Sequence, residues 1–232
     1  MFLRADAGAR CEVNKTMLSW SSGKDSAWAL HTMRQDSGIV VDGLFCTINQ
    51  EFDRVAMHAV RVALLQQQAD SIGLPIQLIP IPHPCSNADY ARIMGEFVVR
   101  ENARGVTGFA FGDLFLEDIR EYREKALSGT GITPIFPIWG MDTRVLATTM
   151  LDSGLRAQIT CVDPSQLAPE FSGREYDADF LRDLPPGVDP CGEKGEFHSF
   201  AFAGPMFGHE VKINVGETTT RDKFVFTDLL PR

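Results

Sequence analysis

The sequence predicts an α/β fold: a doubly wound, mainly parallel sheet followed by a smaller α+β subdomain at the C-terminus. Strand-like apolar runs alternate with helical patterns over most of the chain, which is typical of such a sheet. After about residue 163 prolines become frequent and the alternation stops. Ligands of doubly wound sheets bind beyond the carboxyl ends of the strands, so we expect the functional site there.

The first half of the chain alternates regularly. Its predicted elements are a strand over 16–20, a helix over 26–35, a strand over 39–48, a helix over 54–72 and a strand over 76–81. The run "IVVDGLFCTI" is apolar enough to be buried on both faces of the sheet. Gly73 and Pro75 end the second helix.

The third helix has the clearest periodicity. Ser86 and Asn87 offer an N-terminal cap, and apolar residues then recur at helical spacing at Tyr90, Ile93, Met94, Phe97 and Val98. This spacing indicates an amphipathic helix whose apolar stripe faces the core. The alternating series is completed by a strand over 108–113, a helix over 120–127, the segment "ITPIFPIWG", a helix from Asp142 and a strand over 156–162.

The C-terminal segment has a different pattern. "GEFHSFAFAGPMFGHEVKINVGE" alternates apolar and polar residues around Gly204 and Pro205, which predicts a hairpin. We therefore divide the chain into three parts: a disordered extension over 1–14, the α/β domain over 15–163 and the α+β subdomain over 164–232.

The composition argues against several classes of protein. With 232 residues, 44% of them hydrophobic, the chain can bury a sizeable core. No apolar run reaches the roughly 20 residues of a membrane span, and the N-terminus lacks the apolar region of a signal peptide. The five cysteines form no C-x-x-C pair, which favours a reducing cytoplasm over a disulfide or zinc framework. The net charge of -9 does not favour nucleic-acid binding.

The loop over 21–26 stands where the first strand meets the first helix ("LSWSSGKDSAWAL"). A helix N-terminus has unpaired N–H groups and a partial positive charge, so it attracts anions. The small residues of this loop let the backbone approach phosphate oxygens, and Lys24 adds a full positive charge. On local physics alone, a plain turn in which Ser22 or Asp25 caps the helix is equally compatible. Neither the P-loop nor the dinucleotide-binding pattern is present.

The loop resembles the S-G-G-x-D-S loop of the PP-loop ATP pyrophosphatases at five of six positions, with Ser22 where a glycine is usual. Three further segments, "GDLFLEDIREYRE", "PIFPIWG" and "CGEKGEFHSFAFAGPMF", occur in the right order. Together they resemble the diphthine:ammonia ligase family, a group within the PP-loop ATP pyrophosphatases. The resemblance implies an adenine nucleotide alpha hydrolase-like sheet with the ATP loop after its first strand, followed by a subdomain that bears the acceptor end of the site.

This resemblance implies an ATP-dependent ligase. An acceptor carboxylate takes the AMP moiety of Mg-ATP, pyrophosphate leaves, and ammonia then attacks the acyl carbon to give an amide and AMP. The acceptor is a small molecule or a modified protein side chain, and it is diphthine in an organism that has this residue. No glutaminase-like segment is visible, so we expect the nitrogen to come from free ammonia or another amine. A homo-oligomer is left open.

The resemblance also implies which residues bind ATP and Mg²⁺. The phosphate-binding residues it implies are Ser21, Ser22, Gly23, Lys24, Asp25 and Ser26. Asp25 and Asp113 are the implied ligands of Mg²⁺, a cation that suits carboxylate and phosphate oxygens together. Thr47 and Asn49 end the second strand, where the fold would place adenine, and Gly112 lies beside Asp113 at another strand end.

Four residues are candidates for catalysis: Lys24, Asp113, Glu193 and Glu196. Glu193 and Glu196 match the C-terminal family segment and are expected to orient ammonia or the acceptor, although a solvated turn remains the alternative for both. For Asp113 the alternative is a helix cap. We expect weaker contributions, or only packing and solvent-facing roles, from a further group: Asp118, Arg120, Arg123, Trp139, Gly140, Cys191 and His198.

Two other functions remain open at this point. A regulatory domain would hold ATP without turnover. Some PP-loop proteins modify tRNA bases, but those commonly bring paired cysteines or an RNA-binding module, and neither is visible in this sequence.

Overall fold

The computed structural model describes residues 14–51, 54–55 and 60–232. The predicted extension over 1–14 lies outside these residues except for Asn14, which begins the first strand. The elements are β1 (Asn14–Ser19), α1 (Lys24–Gln35), β2 (Ile39–Asn49), β3 (Arg54–Val55), α2 (Val62–Ile72), β4 (Ile76–Ile81), α3 (Asn87–Ala103), β5 (Gly108–Ala110), α4 (Glu117–Leu127), β6 (Thr133–Ile135), α5 (Thr143–Asp152), β7 (Arg156–Val162), a 3-10 turn (Pro169–Phe171), α6 (Ala178–Asp183), β8 (Phe197–Ala203), β9 (Ile213–Arg221) and β10 (Phe224–Pro231).

The first sheet is mainly parallel and doubly wound, as predicted. β1 lies between β2 and β5, with β4 beside β2 and β6 beside β5, and all of these pairs are parallel. The chain thus moves outward from β1 through β2 to β4 and then crosses to the other side for β5 and β6. The direction of winding reverses next to β1, and this is where such sheets bind their ligands.

The second sheet is antiparallel, with the strand order β8-β7-β10-β9. We expected β7 to close the parallel series, and this was wrong, because β7 pairs with β8 and β10. All of β7 except Arg156 is buried. A continuous buried run is compatible with either kind of sheet, so the sequence pattern alone could not assign this strand.

The predicted helix over 54–72 begins only at Val62. Arg54 and Val55 instead pair with the end of β2 as the short antiparallel strand β3. Arg54 and Arg61 both bind the carboxylate of Asp228 on β10, with closest nitrogen to oxygen distances of 2.9 and 2.5 Å. This shared ion pair holds the segment before α2 against the second sheet and explains why the helix starts late.

The predicted hairpin around Gly204 and Pro205 was also wrong. β8 pairs with β7, and the hairpin of this region joins β9 to β10. Its turn residues Asp222 and Lys223 have φ of 45° and 75°, the positive values that a tight two-residue hairpin turn requires. Alternation located the strands, but it does not specify which strands pair.

The core is continuous across the two sheets. One apolar cluster includes Leu18 and Leu44 of the parallel sheet together with Ile159 and Phe200 of the antiparallel sheet. A second cluster lies under α3, where Phe97 and Val98 are buried as the amphipathic pattern predicted, and Ile93 and Met94 pack against the same cluster. Ser86 caps this helix by accepting a hydrogen bond from the Asp89 amide at 3.1 Å. None of the described helices has both the length and the apolar character needed to cross a bilayer.

Candidate active site

Two adjoining cavities of about 230 and 540 Å³ open beyond the carboxyl ends of the parallel strands. They share four lining residues, Ser19, Ser21, Phe111 and Arg123, and so form one cleft. The cleft lies beside β1, where the winding of the sheet reverses. This is the position at which the fold class predicted a site.

Four separate parts of the chain line the smaller cavity: the end of β1 with the loop after it, the segment after β5, Arg123 of α4 and the C-terminal segment from Gly192 to Ser199. Eight predicted site residues line it: Ser21, Gly23, Lys24, Asp25, Ser26, Gly112, Asp113 and, from the C-terminal segment, Glu193. Thr47 and Asn49 line the larger cavity. Neither cavity is lined by Ser22 or Glu196.

The N-terminus of α1 forms one wall of the smaller cavity. Gly23 is its N-cap and provides no side-chain cap, so the capped turn considered as an alternative is not what the structure contains. The hydroxyl of Ser26 donates instead to the Gly23 carbonyl at 3.0 Å, and the hydroxyls of Ser21 and Ser26 lie 3.1 Å apart. The first amide of the helix, that of Lys24, donates to the Ser199 hydroxyl. The next residues, Asp25 and Ser26, line the cavity, and a helix end with small side chains around it suits an anion.

Gly112 brings the end of β5 against the same helix terminus. A Cβ atom at this position would lie 2.9 Å from the Ser26 amide nitrogen and 3.0 Å from the Asp25 carbonyl carbon. Both are backbone atoms, so a side chain at position 112 would force the helix away. The close approach keeps Asp113 beside the loop.

Ser22 turns its side chain away from the cleft. Its φ is 70°, in the left-handed region that favours glycine, and glycine is the residue usual at this place in the family loop. Its hydroxyl is buried and has no hydrogen-bond partner among the described residues. Its carbonyl accepts from the Ala201 amide at 2.9 Å, which fixes the loop against β8.

The ammonium group of Lys24 lies inside the protein, with the side chain 2% exposed. Its Nζ donates to both carboxylate oxygens of Asp25, at 3.1 and 3.0 Å, and also to the Cys191 carbonyl. The rings of Tyr176 and Phe197 lie 5.5 and 5.2 Å from it. Burial alone lowers the pKa of Lys24, but Asp25 opposes this and the net pKa is raised, so the charge is retained. Lys24 therefore ties the loop to the C-terminal segment.

The two predicted metal ligands each have a basic partner. Burial raises the pKa of Asp25, and Lys24 opposes the shift. Asp113 binds Arg123 through two contacts, with Nε to Oδ2 at 2.5 Å and Nη2 to Oδ1 at 3.1 Å. The guanidinium of Arg123 also lies 4.2 Å from the centre of the Phe111 ring. Arg123 is thus part of the cavity wall, a larger role than the sequence indicated.

Glu193 links the C-terminal segment to the loop after β5. Its Oε1 accepts from the amides of Leu114 at 2.8 Å and Phe115 at 3.4 Å. Burial raises the pKa of Glu193 to about 7, helped by the nearby charges of Asp25 and Asp113 and opposed by the two amide donors. A carboxyl group with this pKa exchanges protons near neutral pH.

Glu196 has a different position from the one we expected. It is 2% exposed and absent from the cavity wall. Its Oε1 accepts from the Asp189 amide and its Oε2 from the Lys194 amide, both at 2.9 Å. Both carboxylate oxygens therefore accept hydrogen bonds from the backbone of the same loop, and these bonds stabilise the loop on both sides of Glu193.

Sequence reasoning understated two other residues of β8. His198 lines the smaller cavity, and burial, with a contribution from Lys24, lowers the pKa of its imidazole to about 4, so the ring is neutral at pH 7. The hydroxyl of Ser199 accepts from the Lys24 amide at 3.2 Å. By contrast, burial raises the pKa of Cys191 to about 12, which leaves its thiol protonated and unreactive. His198 and Ser199 both lie on β8, and the alternation of its sequence does not distinguish residues that line a cavity from residues that pack in the core.

The remaining weak candidates lie away from both cavities: Asp118, Arg120, Trp139 and Gly140. Arg120 stacks on the rings of Phe136 and Trp139, at 5.0 and 4.8 Å. Arg120 therefore packs α4 against the segment that contains Phe136 and Trp139.

The described residues offer no group of three or more His, Cys, Asp or Glu side chains that could hold a metal ion. Asp25 and Asp113 are nevertheless two carboxylates on one cavity wall. Mg²⁺ is commonly held by one or two carboxylates together with substrate phosphates. The donor set fits a cation that arrives with a nucleotide, rather than one caged by protein alone.

Comparisons with known proteins match nearly the whole described chain. The family model described as "Diphthamide synthase N-terminal domain" matches residues 14–133, and the one described as "Diphthamide synthase C-terminal domain" matches residues 142–228. A relative from Danio rerio, named diphthine--ammonia ligase, is 25% identical over 194 residues, which cover 77% of this chain and 76% of the relative.

Proposed function

Because the chain belongs to the diphthamide synthase family, we propose that it is an ATP-dependent ligase. It joins ammonia to an acceptor carboxylate and releases AMP and pyrophosphate. The observation that carries the proposal is one cavity wall made by the loop 21–26, Asp113 and Glu193. The loop suits phosphate groups and Glu193 suits proton transfer, so both halves of the reaction fit in one cleft.

The phosphates of ATP bind at the open N-terminus of α1. The lack of a side-chain cap at Gly23 and the hydroxyls of Ser21 and Ser26 support this assignment. Ser22 contributes only the backbone turn. The ammonium of Lys24 is already bound to Asp25. Lys24 therefore contributes positive charge from within the cavity wall and makes no direct bond to the phosphates.

The nucleoside binds in the larger cavity beyond the ends of β2 and β4. Thr47 and Asn49 lie in its wall together with the aromatic residues Phe45, Tyr90 and Phe111. Apolar and aromatic side chains with a few polar groups are the usual lining of such pockets. The residues shared with the smaller cavity give a continuous path from base to phosphates.

Asp25 and Asp113 are the residues that would hold Mg²⁺. When bound there with the phosphates, the cation would neutralise charge on the leaving pyrophosphate.

The reaction needs two bond changes. An oxygen of the acceptor carboxylate attacks the α-phosphorus, the bond from that phosphorus to the bridging oxygen of pyrophosphate breaks, and an acyl-adenylate forms. The nitrogen of ammonia then attacks the acyl carbon, the bond to AMP breaks and the nitrogen loses a proton. Glu193 takes that proton, since its carboxylate lies in the wall and its pKa is about 7.

The acceptor class follows from the relative. The Danio rerio protein is named for diphthine and ammonia, and we propose an acceptor of the same kind here, a carboxylate on a modified protein side chain. The described cysteines, Cys46, Cys85, Cys161 and Cys191, are free thiols, which supports a cytoplasmic site of action.

The test is the fate of ATP. Purified protein is incubated with Mg-ATP, ammonium and a diphthine-bearing protein, and nucleotides are separated by chromatography. We expect AMP and pyrophosphate in equal amounts, only when the acceptor is present. ADP and phosphate would contradict the mechanism, binding without turnover would favour the regulatory alternative, and stimulation by tRNA would favour the tRNA-modifying alternative.

A further inference from the structure

Gln68 lies in the interior, in the middle of α2, and has no place in the mechanism described above. The side chain is 0% exposed. A glutamine amide carries one acceptor oxygen and two donor hydrogens, and leaving these groups unpaired in the interior is costly. Its partners therefore indicate what holds it there.

The Gln68 amide makes three hydrogen bonds, two to the segment that follows β1 and one to β8. The indole N–H of Trp20, at the end of β1, donates to Oε1 at 2.8 Å. Nε2 donates to the Ser22 carbonyl at 3.0 Å and to the Ala201 carbonyl of β8. Because an indole N–H can only donate, the oxygen must face Trp20, and the orientation of the amide is fixed.

The residue held at the centre of this network is the strained one. Ser22 has a φ of 70°, a conformation that residues with a side chain adopt at an energetic cost. Its carbonyl receives two donors, Nε2 of Gln68 and the amide of Ala201. A strained backbone conformation persists only when the surrounding structure holds it in place. The hydrogen bonds from Gln68 and Ala201 to the Ser22 carbonyl hold this one.

The same bonds join the two walls of the smaller cavity. One wall is formed by the loop residues on either side of Ser22. The other is formed by His198 and Ser199 of β8, the strand that also contains Ala201. Gln68 bonds to Ser22 and Ala201, the residues that connect to these walls, and itself lines neither cavity. It therefore acts on the cleft only through other residues.

We propose that Gln68 is a positioning residue, which holds the phosphate loop in its strained, anion-binding form and sets that loop against the β8 wall. The proposal rests on the proposed function insofar as it concerns ATP. Without Gln68 the loop populates other conformations, and apparent affinity falls with the fraction of the competent one.

The first test is ATP affinity. Gln68→Met keeps the volume and removes all three hydrogen bonds, while Gln66→Met on the exposed face of the same helix is the matched control. Calorimetry with Mg-ATP is expected to show a loss of about 10-fold for Gln68→Met and none for the control. Adding Ser22→Gly, which removes the cost of the positive φ, is expected to restore most of that loss. If Gln68→Met lowered only the overall stability and left the loop in its native conformation, adding Ser22→Gly would not restore ATP affinity.

The second test needs no nucleotide. Hydrogen exchange at the Ala201 amide and the Trp20 indole N–H, followed by NMR, is expected to be at least about 10-fold faster in Gln68→Met than in Gln66→Met. Trp20→Phe, which leaves Gln68 in place but removes the indole N–H that orients it together with part of the buried ring system, is expected to speed exchange at Ala201 as well. It provides the comparison if Gln68→Met does not fold.

The outcomes separate the two proposals. Normal ATP affinity in Gln68→Met, or unchanged exchange in these variants, would overturn the positioning role. Wild-type protein that binds no Mg-ATP would instead overturn the proposed function, and the exchange measurement would still decide whether Gln68 holds the loop.

Discussion

Ser22 combines two costs in one residue. A residue with a side chain pays roughly 1–2 kcal/mol for the left-handed conformation, and a buried hydroxyl without a partner among the described residues adds to this. Ser22→Gly removes both and loses roughly 0.5–1 kcal/mol through the greater freedom of glycine in the unfolded chain. We expect a net gain of about 1 kcal/mol, or about 2–4 °C in Tm.

Calorimetric melting of three proteins tests this expectation. Ser22→Ala removes the hydroxyl and keeps the Cβ at the positive φ, so it should fall below Ser22→Gly in Tm. A Ser22→Gly protein that melts below the wild type would show that the loop is not strained.

Glu193 should make stability depend on pH in the nucleotide-free and metal-free protein. Burial raises its pKa from 4.5 to about 7, so the folded state binds more protons than the unfolded state between these values. The contribution of Glu193 to the free energy of unfolding is therefore full below about pH 4.5 and is lost as pH rises through about 7.

The measurement compares urea unfolding of wild type and Glu193→Gln across that pH range. The difference in unfolding free energy between the two should change in favour of the variant as pH rises. An identical pH dependence in both proteins would mean that Glu193 titrates as an ordinary exposed carboxylate.

At the scale of single residues, small residues and a lysine at a strand end drew attention to the loop. Local physics left a capped turn equally compatible, and the resemblance to a family loop favoured phosphate binding. It did not separate Glu193 from Glu196. The two glutamates are three positions apart beside glycines, and only their burial and amide partners, set by the folded loop, distinguish them.

The loop from Asp189 to Glu196 is the element to which we assign the acceptor side of the proposed site. Asp189 accepts from the Cys191 amide at 2.8 Å and from the Thr143 hydroxyl at 2.7 Å, while Glu196 accepts from two amides of the loop. The carbonyl of Cys191 receives Lys24. The loop is thus fixed by its own hydrogen bonds and by Lys24 at the start of α1.

Glu196→Gln should loosen this loop. The variant places an NH₂ group against one of the two amide donors and leaves that amide unpaired, at a cost of about 1–3 kcal/mol. Urea unfolding measures the cost, with Glu170→Gln, an exposed residue, as the control. A loss no larger than that of the control would show that the two hydrogen bonds do not hold the loop.

At the scale of elements, the positions of most helices and strands followed from periodicity, and the errors have a common cause. β7 was assigned to the wrong sheet, and β8 was paired with the wrong strand. Helix 54–72 began late because Asp228, far along the chain, binds Arg54 and Arg61. In each case a distant partner decided the outcome, and hydropathy patterns contain no information about distant partners.

In the whole molecule, the segment leading into the antiparallel sheet completes a cleft that begins at the parallel sheet. The parallel sheet supplies the loop and Asp113, and the segment leading into β8 supplies Glu193 and the far wall. The predicted fold class was confirmed, and a cleft lies at the edge where the sequence predicted a site, since both depend on local pattern. The contact of Gln68 with Ala201 could not be predicted, because it joins residues 133 positions apart.

The central claim is that ATP activation and amide formation share this cleft, with Glu193 serving the second step. The most direct measurement is ¹⁵N-amide formation from ¹⁵N-ammonium on a diphthine-bearing protein, followed by mass spectrometry with AMP counted in parallel. Wild type should form one amide for each AMP. Glu193→Gln should retain Mg-ATP affinity and form amide on the order of 10²-fold more slowly, with the exposed Glu121→Gln as an unaffected control. Amide formation by Glu193→Gln at the wild-type rate would contradict the account.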